Sequence, residues 1–326
     1  MDEAQYIIDE VNRAMDEKSK LIIEEMRNML ERRSNKEGED ENELEAVVNG
    51  YEIGDFLGSG TYGTVYSVEH QESGAVYAMK IVRLKDDLVM KKIAREISIL
   101  YSLEHENIVR MQNAFFHKKT IMMVMEHAIY DLNSYLIVKN APANPKKWLK
   151  NMLDGVAYLH SRNIIHRDLK PENILVGDGE ILKLADFGTA REWFIIDVAL
   201  TPKLSTLLYR APEMLLDFPL YTSAVDIWSI GCIFAEFEKG SPLFGHADDN
   251  ENLKELVVVD RICKELGTPT DFPDFPQDIA KYPQVSELFP NLGAEGNDLL
   301  MKMLSINPTT RITAEAALAH PYLMEN

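Results

Sequence analysis

The pattern of apolar and polar residues divides the chain into three stretches. In residues 1–33 an apolar residue recurs every seven positions, at Ile8, Met15, Ile22 and Met29. Further apolar residues widen this stripe, and charged residues fill the other faces. This spacing predicts an amphipathic helix, which either packs on the rest of the chain or on a partner, or is an appended, solvated helix with no specific role. Residues 34–50 are acidic and polar, as in a flexible linker. The pattern of a folded domain begins at Tyr51.

The folded stretch begins with β-type patterns and continues with helical ones. Short apolar runs predict strands from Tyr51 into a glycine-rich segment and at 64–68, 75–82, 108–111 and 121–125, with one helix at about 86–103. Beyond a short polar break at 126–131, an amphipathic helix is predicted at 145–162. The pattern therefore predicts an α+β fold with two lobes. Residues 51–126 form a small β-rich N-lobe with one helix, and residues 132–323 form a larger helical C-lobe.

Composition and charge exclude several classes of protein. The 326 residues carry 34 Lys and Arg against 53 Asp and Glu, a net charge of −19, which disfavours a nucleic-acid-binding surface. Two cysteines cannot build a disulfide framework, which indicates a reducing compartment. No apolar run approaches the ~20 residues of a membrane span, and the N-terminal sequence lacks a signal-peptide pattern. We expect a soluble intracellular protein that binds neither nucleic acid nor membrane.

One segment of the helical stretch concentrates chemically active side chains. Residues 166–173 read His-Arg-Asp-Leu-Lys-Pro-Glu-Asn, and apolar residues flank them on both sides. Such a pattern predicts a polar loop held between two buried segments, which can aim several charged groups at one point. Asp186-Phe187-Gly188 follows after another apolar run and adds a further carboxylate.

The β-rich stretch carries a phosphate-binding pattern. Residues 58–63 read Gly-Ser-Gly-Thr-Tyr-Gly, and a strand pattern follows them rather than a helix. A lone motif of this spacing is weak evidence, and with a helix after it the motif would suggest a dinucleotide fold. Between two strands, the glycines instead suit a hairpin that covers a triphosphate, because backbone can approach the phosphates without a Cβ.

A lysine and a glutamate in apolar surroundings indicate a buried ion pair. Lys80 lies inside an apolar strand, where its charge is unfavourable unless it is paired. Glu96 lies among apolar residues of the predicted helix and is the natural counter-ion. Each residue alone could be a surface charge. Because both opposite charges lie in apolar surroundings, we predict that they form an ion pair.

These motifs, followed by Ala211-Pro212-Glu213, occur in an order that resembles the eukaryotic protein kinase family over residues 51–323. The resemblance implies a bilobal kinase fold that uses ATP and Mg²⁺. It implies that Asp168 accepts the proton of the substrate hydroxyl, that Lys170 neutralises phosphoryl charge and that Thr206 bonds to both. Asn173 and Asp186 would bind Mg²⁺. Lys80, held by Glu96, would contact the α- and β-phosphates.

The resemblance also implies a set of ATP-binding residues. They are Leu57, Gly58, Ser59, Gly60, Thr61, Tyr62, Gly63, Thr64, Val65, Ala78, Lys80, Glu96, Glu126, Ala128, Asp131 and Leu175. Apolar members would sandwich the adenine, with Met125 behind it, while backbone groups of Glu126 and Ala128 would bond its edge. Asp131 would bind the ribose.

Within the family the sequence is most similar to the cyclin-dependent kinase branch of Ser/Thr kinases. The similar segments are 94–98, 206–213, 266–269 and 307–321. This implies a cyclin-type activating subunit, an upstream activating kinase, Ser/Thr-Pro substrates favoured by Arg210, and a role in cell-cycle or transcription control. Met90-Lys91-Lys92 replaces the usual proline-led start of the cyclin-contacting helix, and Leu208 replaces a tryptophan. These departures leave the cyclin open and weaken the expectation of Pro-directed specificity.

Regulation by phosphorylation follows from the same resemblance. Thr201 matches the activating site, and Arg95, Arg167 and Arg191 match the arginines that bind its phosphate. Thr61 and Tyr62 match inhibitory sites of cell-cycle members, although kinases without such inhibition carry the same residues. We leave that possibility open.

Two other functions remain open. A mitogen-activated-type kinase shares several of these segments, but its activation segment carries Thr-x-Tyr, whereas residues 201–203 read Thr-Pro-Lys. An ATP-binding pseudokinase scaffold that works through residues 1–33 is the second alternative. The family also implies a nuclear location, alone or together with a cytoplasmic one.

Overall fold

The computed structural model describes residues 47–59, 63–85, 87–117, 120–139, 142, 144–192, 207–218, 222–247, 249, 253–272, 275–276 and 278–324. The predicted helix at 1–33 and most of the acidic linker lie outside these residues. The chain separates into two compact units, with the boundary between Ile129 and Tyr130. This boundary lies within the polar break at 126–131.

The first unit contains a six-stranded antiparallel sheet. Its strands are β1 (Val47–Val48), β2 (Tyr51–Ser59), β3 (Thr64–His70), β4 (Val76–Arg83), β5 (Met111–His117) and β6 (Thr120–Glu126), in the order β1-β2-β3-β4-β6-β5. Alternate residues of the central strands meet on one face and bury Val68, Met79, Met122 and Val124. Helix α1 (Asp87–Ser102) buries Ile93, Ile97 and Leu100, which recur at helical spacing.

Two details of the first unit differ from the predictions. The predicted strand at 108–111 is wrong, because the strand begins at Met111 and continues to His117. Ile108 forms only an isolated β-bridge and Val109 lies in no strand, and both are buried in the segment between α1 and β5. Strand β1 lies within the stretch assigned to the linker and pairs Val48 with Tyr51.

The second unit is built mainly of helices. They are α2 (Leu132–Lys139), α3 (Pro145–His160), α4 (Pro212–Leu215), α5 (Ala224–Lys239), α6 (Glu255–Leu266), α7 (Gly293–Met303), α8 (Ala314–Leu318) and α9 (Pro321–Met324). Short strands β7 (Tyr130–Asp131), β8 (Ile164–Ile165), β9 (Ile174–Val176), β10 (Leu182–Leu184) and β11 (Arg191–Glu192) form two small sheets, β10-β9-β7 and β11-β8. Within the described part of the chain, no helix is long and apolar enough to cross a membrane.

Helices α3 and α5 form the core of this unit. Pro145 begins α3, and the Asn144 side chain accepts a hydrogen bond from the Lys147 amide, so the helix start is capped. Its predicted apolar stripe, which includes Trp148, is fully buried. Helix α5 is buried continuously from Val225 to Phe237, which explains why its sequence is apolar on nearly every face.

Candidate active site

The loop at 166–173 is fixed by one buried carboxylate at the start of α5. Asp226 accepts the backbone N–H groups of His166 and Arg167, each at 2.9 Å. The Nε2 atom of His160, at the end of α3, lies 2.9 Å from Asp226 Oδ2. Burial alone would raise the pKa of Asp226, but the bond to His160, the nearby imidazoles and the Arg167 amide hold it below its ordinary value. Asp226 therefore anchors this loop through two consecutive backbone amides.

Three polar side chains of the loop lie close together. Lys170 Nζ is 3.5 Å from Asp168 Oδ2. Asn173 Nδ2 donates to the backbone oxygen of Asp168 at 2.7 Å and to its Oδ2 at 3.0 Å. The Asp168 carboxylate is therefore oriented by an amide and neutralised by an ammonium. A carboxylate held in this way can receive a proton from a hydroxyl that approaches it.

The hairpin of β9 and β10 carries the two predicted Mg²⁺ ligands at one end. Asn173 precedes β9 and Asp186 follows β10, and the Ala185 amide donates to the Asn173 carbonyl at 2.9 Å. Asp186 has a φ of 59° in the left-handed region. The adjacent Ala185 carbonyl lies 2.9 Å from His166 Nε2, which ties the hairpin end to the loop.

This pair of residues fits Mg²⁺ in the type of ligand it offers. Because Asn173 Nδ2 donates to Asp168, its Oδ1 is presented on the other side of the amide. In the described part of the chain, no group of three or more His, Cys, Asp or Glu residues could hold a metal by itself. Mg²⁺ is commonly held by one or two protein oxygens together with substrate phosphates, and Asn173 and Asp186 supply such oxygens.

In the first unit the predicted ion pair is present. Lys80 Nζ lies 2.6 Å from Glu96 Oε1, and the two side chains are only 13% and 2% exposed. The strand register places Val65 opposite Lys80 and Met125 opposite Ala78, so these residues share one sheet face. The sheet therefore presents small and apolar side chains beside a buried ammonium.

The glycine-rich segment is only partly described. Gly60, Thr61 and Tyr62 lie outside the described residues, whereas Leu57, Gly58 and Ser59 end β2 and Gly63, Thr64 and Val65 begin the return. A Cβ at Gly63 would collide with the Ile81 carbonyl and lie 2.9 Å from a Val82 methyl group. A Cβ at Gly58 would meet no atom of the chain within 4 Å. Internal packing explains the first glycine, and close approach of a ligand suits the second.

Residues predicted to bind the adenine and ribose also have structural roles. The Glu126 amide donates to the Arg110 carbonyl at 3.0 Å, and its side chain accepts from the Arg110 amide. Asp131 accepts the Ser134 amide and hydroxyl, both at 2.8 Å, and so caps α2. Ala128 is half-buried, and Leu175 is half-buried on β9, opposite Asp131. Their contacts with ATP remain predictions.

The predicted regulatory residues are divided among several parts of the chain. Arg167 and Arg191 are both buried in the second unit, and Arg191 pairs in register with Ile165 next to the loop. Arg95 lies half-buried on α1 of the first unit. Thr201 and Thr206 lie outside the described residues, so the phosphate site and the predicted Thr206 bonds stay predictions.

Helix α4 and the residues just before it are joined to the helical core by buried polar contacts. Arg311 forms two hydrogen bonds with Glu213, at 2.7 and 3.0 Å, and both side chains are almost fully buried. The Tyr209 hydroxyl donates to Glu236 at 2.6 Å. Sequence reasoning missed the Tyr209–Glu236 contact.

Sequence reasoning also missed His160. Its position at the last turn of an amphipathic helix gave no signal, because a histidine there usually faces solvent or fills the core. Only the spacing of six residues to His166 could have drawn attention to it.

The geometry agrees with comparison to known families. The chain matches the family model for the protein kinase domain over residues 51–323. It therefore belongs to the protein kinase family, and the β-sheet unit and helical unit are the two parts of its α+β, bilobal fold. Membership of this family makes the chain a kinase that transfers a phosphoryl group to proteins and implies ATP as its donor.

Proposed function

We propose that this kinase is a serine/threonine kinase of the cyclin-dependent type. The observation that carries the proposal is the arrangement of Asp168, Lys170 and Asn173 in one anchored loop. Asp168 receives the proton of a Ser or Thr hydroxyl, and Lys170 balances negative charge as the phosphoryl group transfers. In the first unit, the Lys80–Glu96 pair holds a cationic group that would contact the ATP phosphates.

Asn173 and Asp186 are proposed to hold Mg²⁺. When bound, the ion neutralises the charge of the phosphate oxygens and orients them. The protein contributes the orientation of its own ligands. Asn173 is fixed by its bonds to Asp168, and Asp186 is fixed by its place at the end of the β9–β10 hairpin.

The subtype rests on resemblance and sets the partners we expect. A cyclin-type subunit would activate the kinase, an upstream kinase would phosphorylate Thr201, and protein substrates would carry Ser/Thr-Pro sites selected with the help of Arg210. A role in cell-cycle or transcription control in the nucleus or cytoplasm follows from this subtype. Inhibitory phosphorylation of Thr61 and Tyr62 belongs to the same proposal.

Transfer of radiolabel from ATP to a Ser/Thr-Pro peptide tests the activity. Asp168→Asn should lower the rate by at least about 100-fold, because general base catalysis contributes roughly 10²- to 10⁴-fold. Asp154→Asn is the matched control. Asp154 lies on α3, and its ion pair with Lys150, at 2.7 Å, is accessible to solvent. It should leave the rate unchanged.

The remaining outcomes distinguish the alternatives. Equal rates for the wild type and Asp168→Asn would contradict the proposed role of Asp168. ATP binding without transfer, even with a candidate cyclin bound, would favour the pseudokinase scaffold. Activation that needs no cyclin but requires a dual-specificity upstream kinase would favour the mitogen-activated type.

A further inference from the structure

The turn between β9 and β10 has an unusual backbone. Gly179 has a φ of 65°, and Glu180 follows it with a φ of 57°. Glycine adopts this left-handed region readily, but a residue with a long side chain is disfavoured there. A glutamate in this conformation indicates that surrounding contacts favour it over a more relaxed turn.

Contacts from two helices hold the turn. The Tyr135 hydroxyl on α2 donates to Glu180 Oε1 at 2.7 Å, and the Trp148 indole on α3 donates to the Glu180 carbonyl at 3.0 Å. Lys147 Nζ donates to the Gly179 carbonyl at 2.8 Å. Tyr135 and Trp148 are buried and pack edge to face, with ring centroids 5.2 Å apart. We call Tyr135, Trp148 and Glu180 the hairpin latch.

The latch lies at the opposite end of the hairpin from the candidate metal ligands. Strands β9 and β10 have three residues each, with Asn173 just before the first and Asp186 two residues after the second. The Ala185–Asn173 backbone bond closes that end of the hairpin. A hairpin this short has few ladder bonds of its own, so its orientation depends on what holds its two ends.

A third connection links the latch to the candidate ribose site. Strand β7 pairs Asp131 with Leu175 of β9, and Tyr130 of the same strand packs against Tyr135 with centroids 6.0 Å apart. The latch therefore contacts strand β7 as well as the turn between β9 and β10. A shift of the turn would change the placement of β9 with respect to β7.

We propose that Tyr135, Trp148 and Glu180 are positioning residues that set the geometry of Asn173 and Asp186 for Mg²⁺. The inference rests on the proposed metal-binding role of those two residues. Groups that orient metal ligands commonly change metal affinity by about 10- to 100-fold when they are removed. The latch acts through the hairpin rather than by direct contact, so we expect a smaller effect.

The test measures binding rather than turnover. The affinity of the purified chain for a non-hydrolysable ATP analogue is measured by calorimetry with and without Mg²⁺, and the ratio of the two affinities is the metal coupling. Tyr135→Phe removes the hydroxyl and keeps the ring. It should lower the coupling about threefold to tenfold, and any change in the Mg²⁺-free affinity should be smaller than the change in the affinity with Mg²⁺.

A second variant separates positioning from stability. Glu180→Gly removes the carboxylate and at the same time relieves the left-handed backbone, so it should lower the coupling without a matching loss of stability. If both variants act through the same bond, the double variant should be no worse than either single one. Lys150→Ala, an exposed residue on α3, is the control and should leave the coupling unchanged.

Four outcomes decide the proposal. A loss of coupling in both latch variants, but not in Lys150→Ala, supports it. Variants that melt earlier but retain full coupling would overturn it and leave the latch a purely structural contact. The proposal would also be overturned if the nucleotide affinity of the wild type did not depend on Mg²⁺. The wild type could bind the nucleotide in a Mg²⁺-dependent way that the latch variants weaken, yet phosphorylate no Ser/Thr-Pro peptide. This result would contradict the proposed subtype and support the role of the latch.

Discussion

The side chains of Lys80 and Glu96 show how burial makes two residues depend on one another. Each charge lies in surroundings that would be unfavourable to it alone, and the 2.6 Å contact between them offsets the loss of water. The same contact fixes the direction of the Lys80 ammonium on the sheet face. The pair therefore serves stability and orientation together.

Breaking this pair from one side should destabilise the chain more than removing both charges. Lys80→Met leaves the Glu96 carboxylate buried without its ammonium, and we expect a loss of about 3 kcal/mol in the free energy of unfolding. Lys80→Met combined with Glu96→Leu should recover most of that loss. Urea denaturation measures both values, and an equal loss in the single and double variants would contradict the argument.

Among the elements, α5 connects several parts of the second unit. Asp226 at its start holds the catalytic loop, and Ser229 donates to the Tyr209 carbonyl at 2.8 Å. Glu236 near its end accepts the Tyr209 hydroxyl. Burial is the main reason that the pKa of Glu236 rises to about 7. Nearby Glu172 raises it further, while Tyr209 and Lys239 act in the opposite direction.

This raised pKa predicts a pH dependence of stability. The folded state keeps the Glu236 proton up to about pH 7, whereas the unfolded chain releases it near pH 4.5. The stability gained from protonation is therefore fully present below pH 4.5 and is lost as the pH rises through 7. Between about pH 5 and pH 8 we expect a loss of about 2 to 3 kcal/mol from this group.

Glu236→Gln provides the measurement, because it removes the titration and keeps an oxygen that accepts the Tyr209 hydroxyl. Unfolding free energies of the wild type and variant should converge toward pH 5 and separate toward pH 8, with the variant the more stable. A constant difference across this range would mean that Glu236 does not titrate there.

At the scale of the whole molecule, the regulatory proposal concerns both units. Arg95 belongs to the first unit, and Arg167 and Arg191 belong to the second. In the proposed subtype, phosphorylation of Thr201 adds about −1.5 to −2 charges for which these arginines are the proposed partners.

Thr201→Ala should therefore lower the activity of the cyclin-bound kinase at least about tenfold after treatment with an upstream kinase, in line with typical coupling energies. Phosphatase-treated wild type is the control and should match the variant. The rate of peptide phosphorylation is the measurement. Unchanged transfer by the partner-bound variant would rule out Thr201 as the activating site.

The sequence was sufficient to predict the division into a β-rich and a helical part, because hydrophobic periodicity changes near residue 130. It also predicted Lys80 with Glu96, since a charge within an apolar run demands a partner. It could not predict the Tyr135–Glu180 bond. Tyr135 lies in the short helix α2, whose sequence has no marked helical periodicity, and its partner lies 45 residues away in a polar turn.

Other errors have different physical causes. The strand predicted at 108–111 failed because Ile108 and Val109 are buried outside a strand, and Ile108 forms only an isolated β-bridge. Strand β1 was missed because two valines after an acidic stretch give no alternation to detect. Local sequence patterns indicate whether a residue is buried or exposed. They do not show which distant segments pair, and that pairing determines where the strands begin and end.

The bond between Arg311 and Glu213 has a consequence for how the chain is made. The two residues are 98 positions apart, so Glu213 leaves the ribosome well before its partner exists. At roughly 5 to 20 residues per second, translation needs on the order of 5 to 20 s to cover that interval. During this time the carboxylate cannot be buried favourably. The segment around Glu213 therefore stays exposed during this interval, and chaperones and modifying enzymes can reach it before the domain is complete.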